Sequence, residues 1–207
     1  MWNQALQAIT TLFLQQTCPL CDRATPQEFC QDCWRQLEAC AHRQPAEPAP
    51  AALPVLTWGC YEATLKQAMA ALKYDGHQTL ARPLGQALGQ CWQTFPLATR
   101  RSPLIVPIPL HDQKRRERGF NQAELLADAF CQQTGLRLVR RGLVRQRATI
   151  PQFNLGVAER QKNLAGAFTL GPTFCSNRSQ APVLLLDDIY TTGTTVRAAA
   201  STSPLGD

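Results

Sequence analysis

No run of apolar residues in this chain approaches the roughly 20 needed to span a bilayer. The opening "MWNQALQAITTLFLQQTC" carries no Lys or Arg ahead of its short apolar run, as a secretory leader would. The expectation is a cytoplasmic protein without a membrane span. No self-similarity at solenoid or propeller period is present. There is no GxGxxG behind a strand-like segment and no GxxxxGK[ST], so neither a dinucleotide fold nor a P-loop is supported. Acidic residues are outnumbered, 15 against 21 Lys and Arg, and the net charge of +6 points to an anionic partner: a polyphosphate, a nucleic acid or an acidic protein. The basic stretches have no interleaved aromatics to stack on bases, which favours a protein partner over single-stranded DNA.

The apolar content of 44% over 207 residues is enough for one ordinary domain with a small appendage. Nine cysteines are an odd number for a disulfide scaffold, and four of them form two CxxC pairs near the N-terminus. Cys18, Cys21, Cys30 and Cys33 read as CxxC-x8-CxxC, a spacing at which four thiolates close a tetrahedral Zn²⁺ site with no open position. Such a site is structural, and in so small a unit metal binding supplies much of the folding free energy. A thioredoxin-like redox pair is disfavoured because no βαβ pattern surrounds it. Cys40 is an alternative ligand, whereas Cys60, Cys91, Cys131 and Cys175 read as ordinary thiols.

Residues 1–40 therefore form a helical lead-in and a cysteine module. "HRQPAEPAPAALP", with four prolines, is an extended linker within 41–54, and 55–207 is the main domain. In that domain "VLTWGCY" reads as a strand. Leu65, Ala68, Met69 and Leu72 mark a helix ended by "YDG", and Leu80, Leu84, Leu88 and Cys91 mark a second one that tolerates Pro83 in its first turn. "LIVPIPL" reads as a buried parallel strand. Asn121 caps a helix, with Glu124 completing a variant capping box, Leu125, Leu126, Ala129 and Phe130 facing inward, and Gly135 as the stop. "LRLVRRGLV", "AGAFTL" and "VLLLDDI" are further strands, with a short polar helix over 156–163. Strands alternating with helices predict an α/β fold, a mostly parallel sheet covered on both faces.

Beyond the last strand come Asp187, Asp188 and the loop "YTTGTT", then a helix beginning "VRAAA". Orphan amides at that helix start, with hydroxyls from Thr191, Thr192, Thr194 and Thr195 and close backbone approach at Gly193, would bind an anion. A pocket for phosphate alone has no use for two carboxylates beside it. A ligand with a vicinal diol at one end and a phosphate at the other uses both halves, and ribose 5-phosphate has that layout. The carboxylates also stabilise positive charge developing at an anomeric carbon. "VLLLDDIYTTGTTVRAAA" resembles the phosphoribosyl diphosphate signature of type I phosphoribosyltransferases. That resemblance implies Mg²⁺ with phosphoribosyl diphosphate as the ligand.

"HDQKRRERGFNQ" places Lys114, Arg115, Arg116 and Arg118 in a basic loop after a strand end, where cations could stabilise a leaving diphosphate. His111 in this segment reads as a loop histidine. "PIPLHDQKRRERGFNQAELLA" and "QRATIPQFNLGVAERQKNLAGAF", together with "LKYDG" and the N-terminal cysteines, are similar to the ComF family, competence-associated proteins with a phosphoribosyltransferase-like domain. By that resemblance Arg118, Gly119, Asn121 and Gln122 match the family's RGFNQ segment, and Arg147, Gln152, Arg160 and Asn163 its second patch. Asp187, Asp188 and Arg118 would be the catalytic residues. Family members continue past the helix after the Thr loop, whereas this chain ends "STSPLGD", which implies a missing C-terminal strand and reduced stability. Two functions follow. One is a phosphoribosyltransferase whose acceptor is not visible. The other is a non-catalytic adaptor in DNA uptake, contacting competence proteins or single-stranded DNA and keeping the pocket as sensor or relic. Oligomeric state is left open.

Overall fold

The computed structural model describes residues 16–42, 53–96, 102–146, 166–175 and 181–202. The helical lead-in, most of the linker, the polar helix over 156–163 and the patch of Arg147, Gln152, Arg160 and Asn163 lie outside them. The chain divides into two compact units, Met1–Gln44 with Trp58–Leu80, and Pro45–Thr57 with Ala81–Asp207.

In the first unit, Thr17 bridges Ala24 around a tight turn, and helix α1 (Gln31–Ala39) follows. Cys33 and Leu37, one turn apart, are buried on one face of α1. Phe29 is buried beside them, with its ring 5.9 Å from that of Trp34. "VLTWGCY", expected as a sheet strand, makes only an isolated bridge from Gly59 to Ala41. The reason is local. A Cβ at Gly59 would lie 2.5 Å from the Cys40 carbonyl oxygen, so glycine lets this segment lie directly on the chain leaving α1. Helix α2 (Ala63–Tyr74) buries Leu65, Ala68, Met69 and Leu72, the expected stripe, and its Thr64 hydroxyl donates to Gln36 of α1 at 3.2 Å. Segment 58–80 thus groups with the cysteine module, whereas the linker pattern alone had it opening the main domain.

The second unit begins with helix α3 (Ala81–Gln93). Its buried face carries Leu84, Gly85, Ala87, Gly89 and Trp92, while Leu88 and Cys91 of the expected stripe are half-buried. Strand β1 (Leu104–Pro107) leads to helix α4 (Asp112–Arg118) and helix α5 (Gln122–Thr134). "LRLVRRGLV" is not one strand: a turn splits it into β2 (Arg137–Leu138) and β3 (Leu143–Arg145). Strand β4 (Phe168–Leu170), the short helix α6 (Pro172–Cys175), strand β5 (Val183–Leu186) and helix α7 (Thr194–Ala200) complete the described elements.

The fold is α/β. Among the described residues β2, β1 and β5 form a parallel sheet in that order, with Leu104 opposite Val183 and Pro107 opposite Leu186. Strands β3 and β4 pair antiparallel as a separate ribbon. Pro107 lacks an N–H, yet β2 has already ended at Leu138, so no ladder bond is lost on that side. Helix α5 lies against β1 and β2, with α3 outside it. On the opposite face, Val106, Ile108, Val139 and Leu143 cluster with Phe168 of β4 and Ala199 of α7. Both faces are therefore covered, the second by the β3–β4 ribbon and α7 rather than by a long helix.

Candidate functional site

The four cysteines of the two CxxC pairs converge. Their sulfur atoms all lie within 4.8 Å of one another, with Cys21 and Cys30 at 3.5 Å. A tetrahedral Zn–S₄ centre with bonds of about 2.3 Å separates its sulfurs by roughly 3.8 Å, so the donor set fits such an ion. The local chain explains the convergence. Backbone N–H groups of Cys21 and Asp22 both donate to the Cys18 carbonyl, with Asp22 at φ 59°, and this tight turn brings Cys21 back over Cys18. Cys30 is the N-cap of α1, and its sulfur accepts from the Cys33 amide at 3.5 Å. That amide draws the Cys30 thiol down to about 7, while burial pushes Cys33 well up. Cys40 sits apart, donating to the Gln36 carbonyl, and among the described residues these four form the one such cluster.

In the α/β unit, β1 and β5 run side by side and end together, β1 being the strand at which sheet order reverses. The crevice beyond carboxyl ends at such a reversal is where open α/β sheets bind ligands. Asp187 and Asp188 leave β5 there, half-buried, and the Asp188 amide donates to the Asp187 carboxylate at 2.9 Å. Gly193 stands in the left-handed region at φ 70° and caps α7. A Cβ on it would meet the Tyr190 hydroxyl at 2.6 Å and an Arg197 nitrogen at 2.9 Å. Thr194 is buried, its hydroxyl 2.7 Å from that of Thr192, while Thr191 is exposed and Thr195 half-buried. The Thr192 and Thr194 hydroxyls, expected as ligand donors, thus also hold the loop to itself. Arg197 reaches back from the helix and donates to the Thr192 carbonyl.

The basic segment expected as a loop is the seven-residue helix α4. His111 is its N-cap, with Nδ1 accepting from the Gln113 amide at 3.3 Å, and Gly119 ends it at φ 81°. Lys114, Arg115 and Arg116 are exposed, and Arg115 pairs with Glu124 at 3.3 Å. Glu124 does not close the expected capping box, since its other oxygen takes Arg140 at 3.6 Å. Asn121 caps α5 as expected, accepting from the Ala123 amide at 3.1 Å. The next residue joins the two motifs: Gln122 is buried, and its Nε2 donates to Asp188 Oδ1 at 3.1 Å while its Oε1 accepts from Arg118.

Sequence reasoning missed Arg145. This β3 residue faces Phe168 across the ribbon, with its guanidinium carbon 5.6 Å from the ring centre. Burial pulls its pKa below the ordinary value, and the negative charge of Asp187 works in the opposite direction. Arg137, Arg140, Arg141 and Arg147 stand in the same stretch, so nothing in the sequence singles Arg145 out.

No family model matches the chain. It is similar to "Competence protein F" of Haemophilus influenzae, 31% identical over 122 residues, covering 58% of this chain and 51% of that protein. It is 32% identical over 151 residues to "DNA utilization protein YhgH" of Salmonella typhi, covering 68% and 61%. "Competence protein ComFC" of Bacillus subtilis is 27% identical over 194 residues, 88% of this chain and 69% of that one. The chain thus spans between about half and two thirds of the lengths of these relatives. Among the described residues, no helix is long and apolar enough to cross a membrane.

Proposed function

Because the chain belongs to the ComF family, we propose that its α/β unit binds phosphoribosyl diphosphate as the Mg²⁺ complex, that its cysteine cluster holds one structural Zn²⁺, and that it serves DNA uptake and utilisation. The observation that carries the ligand reading is the 3.1 Å hydrogen bond from Gln122 to Asp188. It ties the RGFNQ segment to the acidic pair in the crevice beyond β1 and β5, where a sugar phosphate can meet both. In this reading the carboxylates of Asp187 and Asp188 accept from the ribose hydroxyls, and the loop Thr191–Thr195 takes the 5-phosphate. Arg118, with Lys114, Arg115 and Arg116 of the same helix, attracts the diphosphate and offsets charge developing on it as it leaves. Asp187 and Asp188 also favour positive charge at the anomeric carbon. The acceptor is the unassigned part of the transfer reaction.

Calorimetry with phosphoribosyl diphosphate and Mg²⁺ tests the ligand. Wild type binds with one site per chain, and the double variant Asp187→Asn/Asp188→Asn does not. Absence of binding to wild type refutes the reading. Diphosphate release on adding candidate nucleobases then marks a transferase, and binding without release favours an adaptor. The adaptor reading has its own support in the cysteine module, which together with segment 58–80 makes one of the two compact units. It expects DNA uptake to survive the double Asp variant and fail when Cys18 and Cys21 become Ser. For the metal, wild type and Cys60→Ser should each carry one Zn²⁺ per chain and Cys18→Ser none; equal content in all three refutes the Cys₄ site.

A further inference from the structure

Gln122 is the first residue of α5, directly behind the capping Asn121, and only 5% of its surface is exposed. The far end of its side chain makes two hydrogen bonds of opposite sense, accepting from the Arg118 guanidinium through Oε1 and donating to Asp188 through Nε2. Arginine offers donors alone and an ionised carboxylate acceptors alone, so the two neighbours together dictate the orientation of the amide. Its main chain is equally constrained, because the Asn121 side chain bonds both the Ala123 amide and the Ile108 carbonyl.

We propose that Gln122 is a positioning residue that locks Arg118 and Asp188 into one unit, holding cation and carboxylate one amide apart so that they engage opposite ends of the same ligand. The ligand in question rests on the phosphoribosyl diphosphate reading; the lock rests on geometry alone. A direct Arg118–Asp188 ion pair would spend each charge on the other. The interposed amide is neutral and takes one acceptor site of the carboxylate and one donor of the guanidinium, so it orders both groups without cancelling either charge, and each of its bonds polarises the other. Among side chains of this length, glutamine alone offers a donor and an acceptor at one tip. Glutamate has the same shape and still accepts from Arg118, yet it turns a like charge on Asp188.

The test compares thermal unfolding of wild type, Gln122→Glu, Asp188→Asn and the double variant Gln122→Glu/Asp188→Asn. The Glu variant should lose several degrees. The double variant should recover them, because Asn at 188 can donate to the carboxylate that accepts from Arg118. A residue that merely fills space predicts no loss from an isosteric change and no rescue. Should Gln122→Glu fail to fold, a folded double variant is the rescue and an unfolded one overturns the lock. So does a Glu variant as stable as wild type, or a double variant no better than Gln122→Glu. In calorimetry, Gln122→Glu should bind Mg²⁺–phosphoribosyl diphosphate about tenfold more weakly or worse. The rescued double variant should stay weak, because the Asp188 carboxylate is gone. Wild type that binds nothing refutes the ligand alone, since the rescue is read without ligand. Wild type and Gln122→Glu binding equally overturns the lock.

Discussion

The side-chain amide of Asn121 donates to the main-chain carbonyl of Ile108 at 3.0 Å, joining the start of α5 to the exit of β1. The same side chain caps the helix through the Ala123 amide, so one buried residue serves helix and strand end together. Asn121→Ala should cost about 2 kcal/mol, roughly half for the lost cap and half for the Ile108 carbonyl left without this donor. Asn121→Asp keeps the cap and lacks the donor, and should not restore wild-type stability. Urea unfolding of the three proteins decides; full recovery by Asp would show that the Ile108 bond contributes nothing.

Helix α3 meets α5 across Gly85, where a Cβ would lie 2.5 Å from the Leu126 carbonyl oxygen and 2.7 Å from the Ala129 Cβ. Gly→Ala inside a helix ordinarily gains about 1 kcal/mol. Here the contact is with backbone, which cannot swing away, and overpacking costs about 1–3 kcal/mol. Gly85→Ala should therefore lower stability in denaturant titration, and a rise would show that the helices separate at little cost.

Gly193 and Gly135 both stand in the left-handed region, at φ 70° and 74°. A Cβ on Gly135 meets nothing within 4 Å, whereas one on Gly193 meets Tyr190 and Arg197. Gly135→Ala should pay the backbone cost of about 1–2 kcal/mol alone. Gly193→Ala should lose more, and ligand binding with it, since Tyr190 and Arg197 must leave the loop. Equal losses of stability in the two variants would mean that these contacts are soft.

Burial pushes the Cys131 thiol up to about 11, with Asp128 adding to the shift and Arg140 opposing it. An acid whose pKa is raised by folding stabilises the fold fully below its unfolded value of 9.0, and that contribution fades as pH rises through the folded value. Wild-type stability should therefore fall between pH 9 and 11 more steeply than that of Cys131→Ala. Parallel pH profiles would show that the thiol ionises as freely in the folded chain as in the unfolded one.

How much was legible in the sequence depends on how far each signal reaches along the chain. Asn121, Gly135 and the stripe Leu65, Ala68, Met69 and Leu72 act on residues a turn away, and each took its expected place. The basic segment was read as a loop because its charges show no apolar period, yet His111 and Gly119 cap it at both ends and Gln113 and Glu117 bond along one face, which suffices for two turns of exposed helix. "LRLVRRGLV" failed for the opposite reason. Its apolar residues suit a strand throughout, but Val139 donates to Ile105 while Leu143 pairs with Leu170 in a different ladder, so the chain must turn between them.

By itself the sequence determined the α/β class, the strand and acidic pair ahead of the Thr-rich loop, and the identity of the four converging cysteines, because periodicity, capping and CxxC spacing are local properties of the chain. Only the tertiary structure decided that Gln122 sits between Arg118 and Asp188, that Arg145 is half-buried within the influence of Asp187, and that the buried face of α3 runs through two glycines. The links from Gln122 to Asp188, from Arg145 to Asp187 and from Gly85 to Leu126 join residues dozens of positions apart, and they come into being only when parallel strands end side by side and helices close to backbone contact.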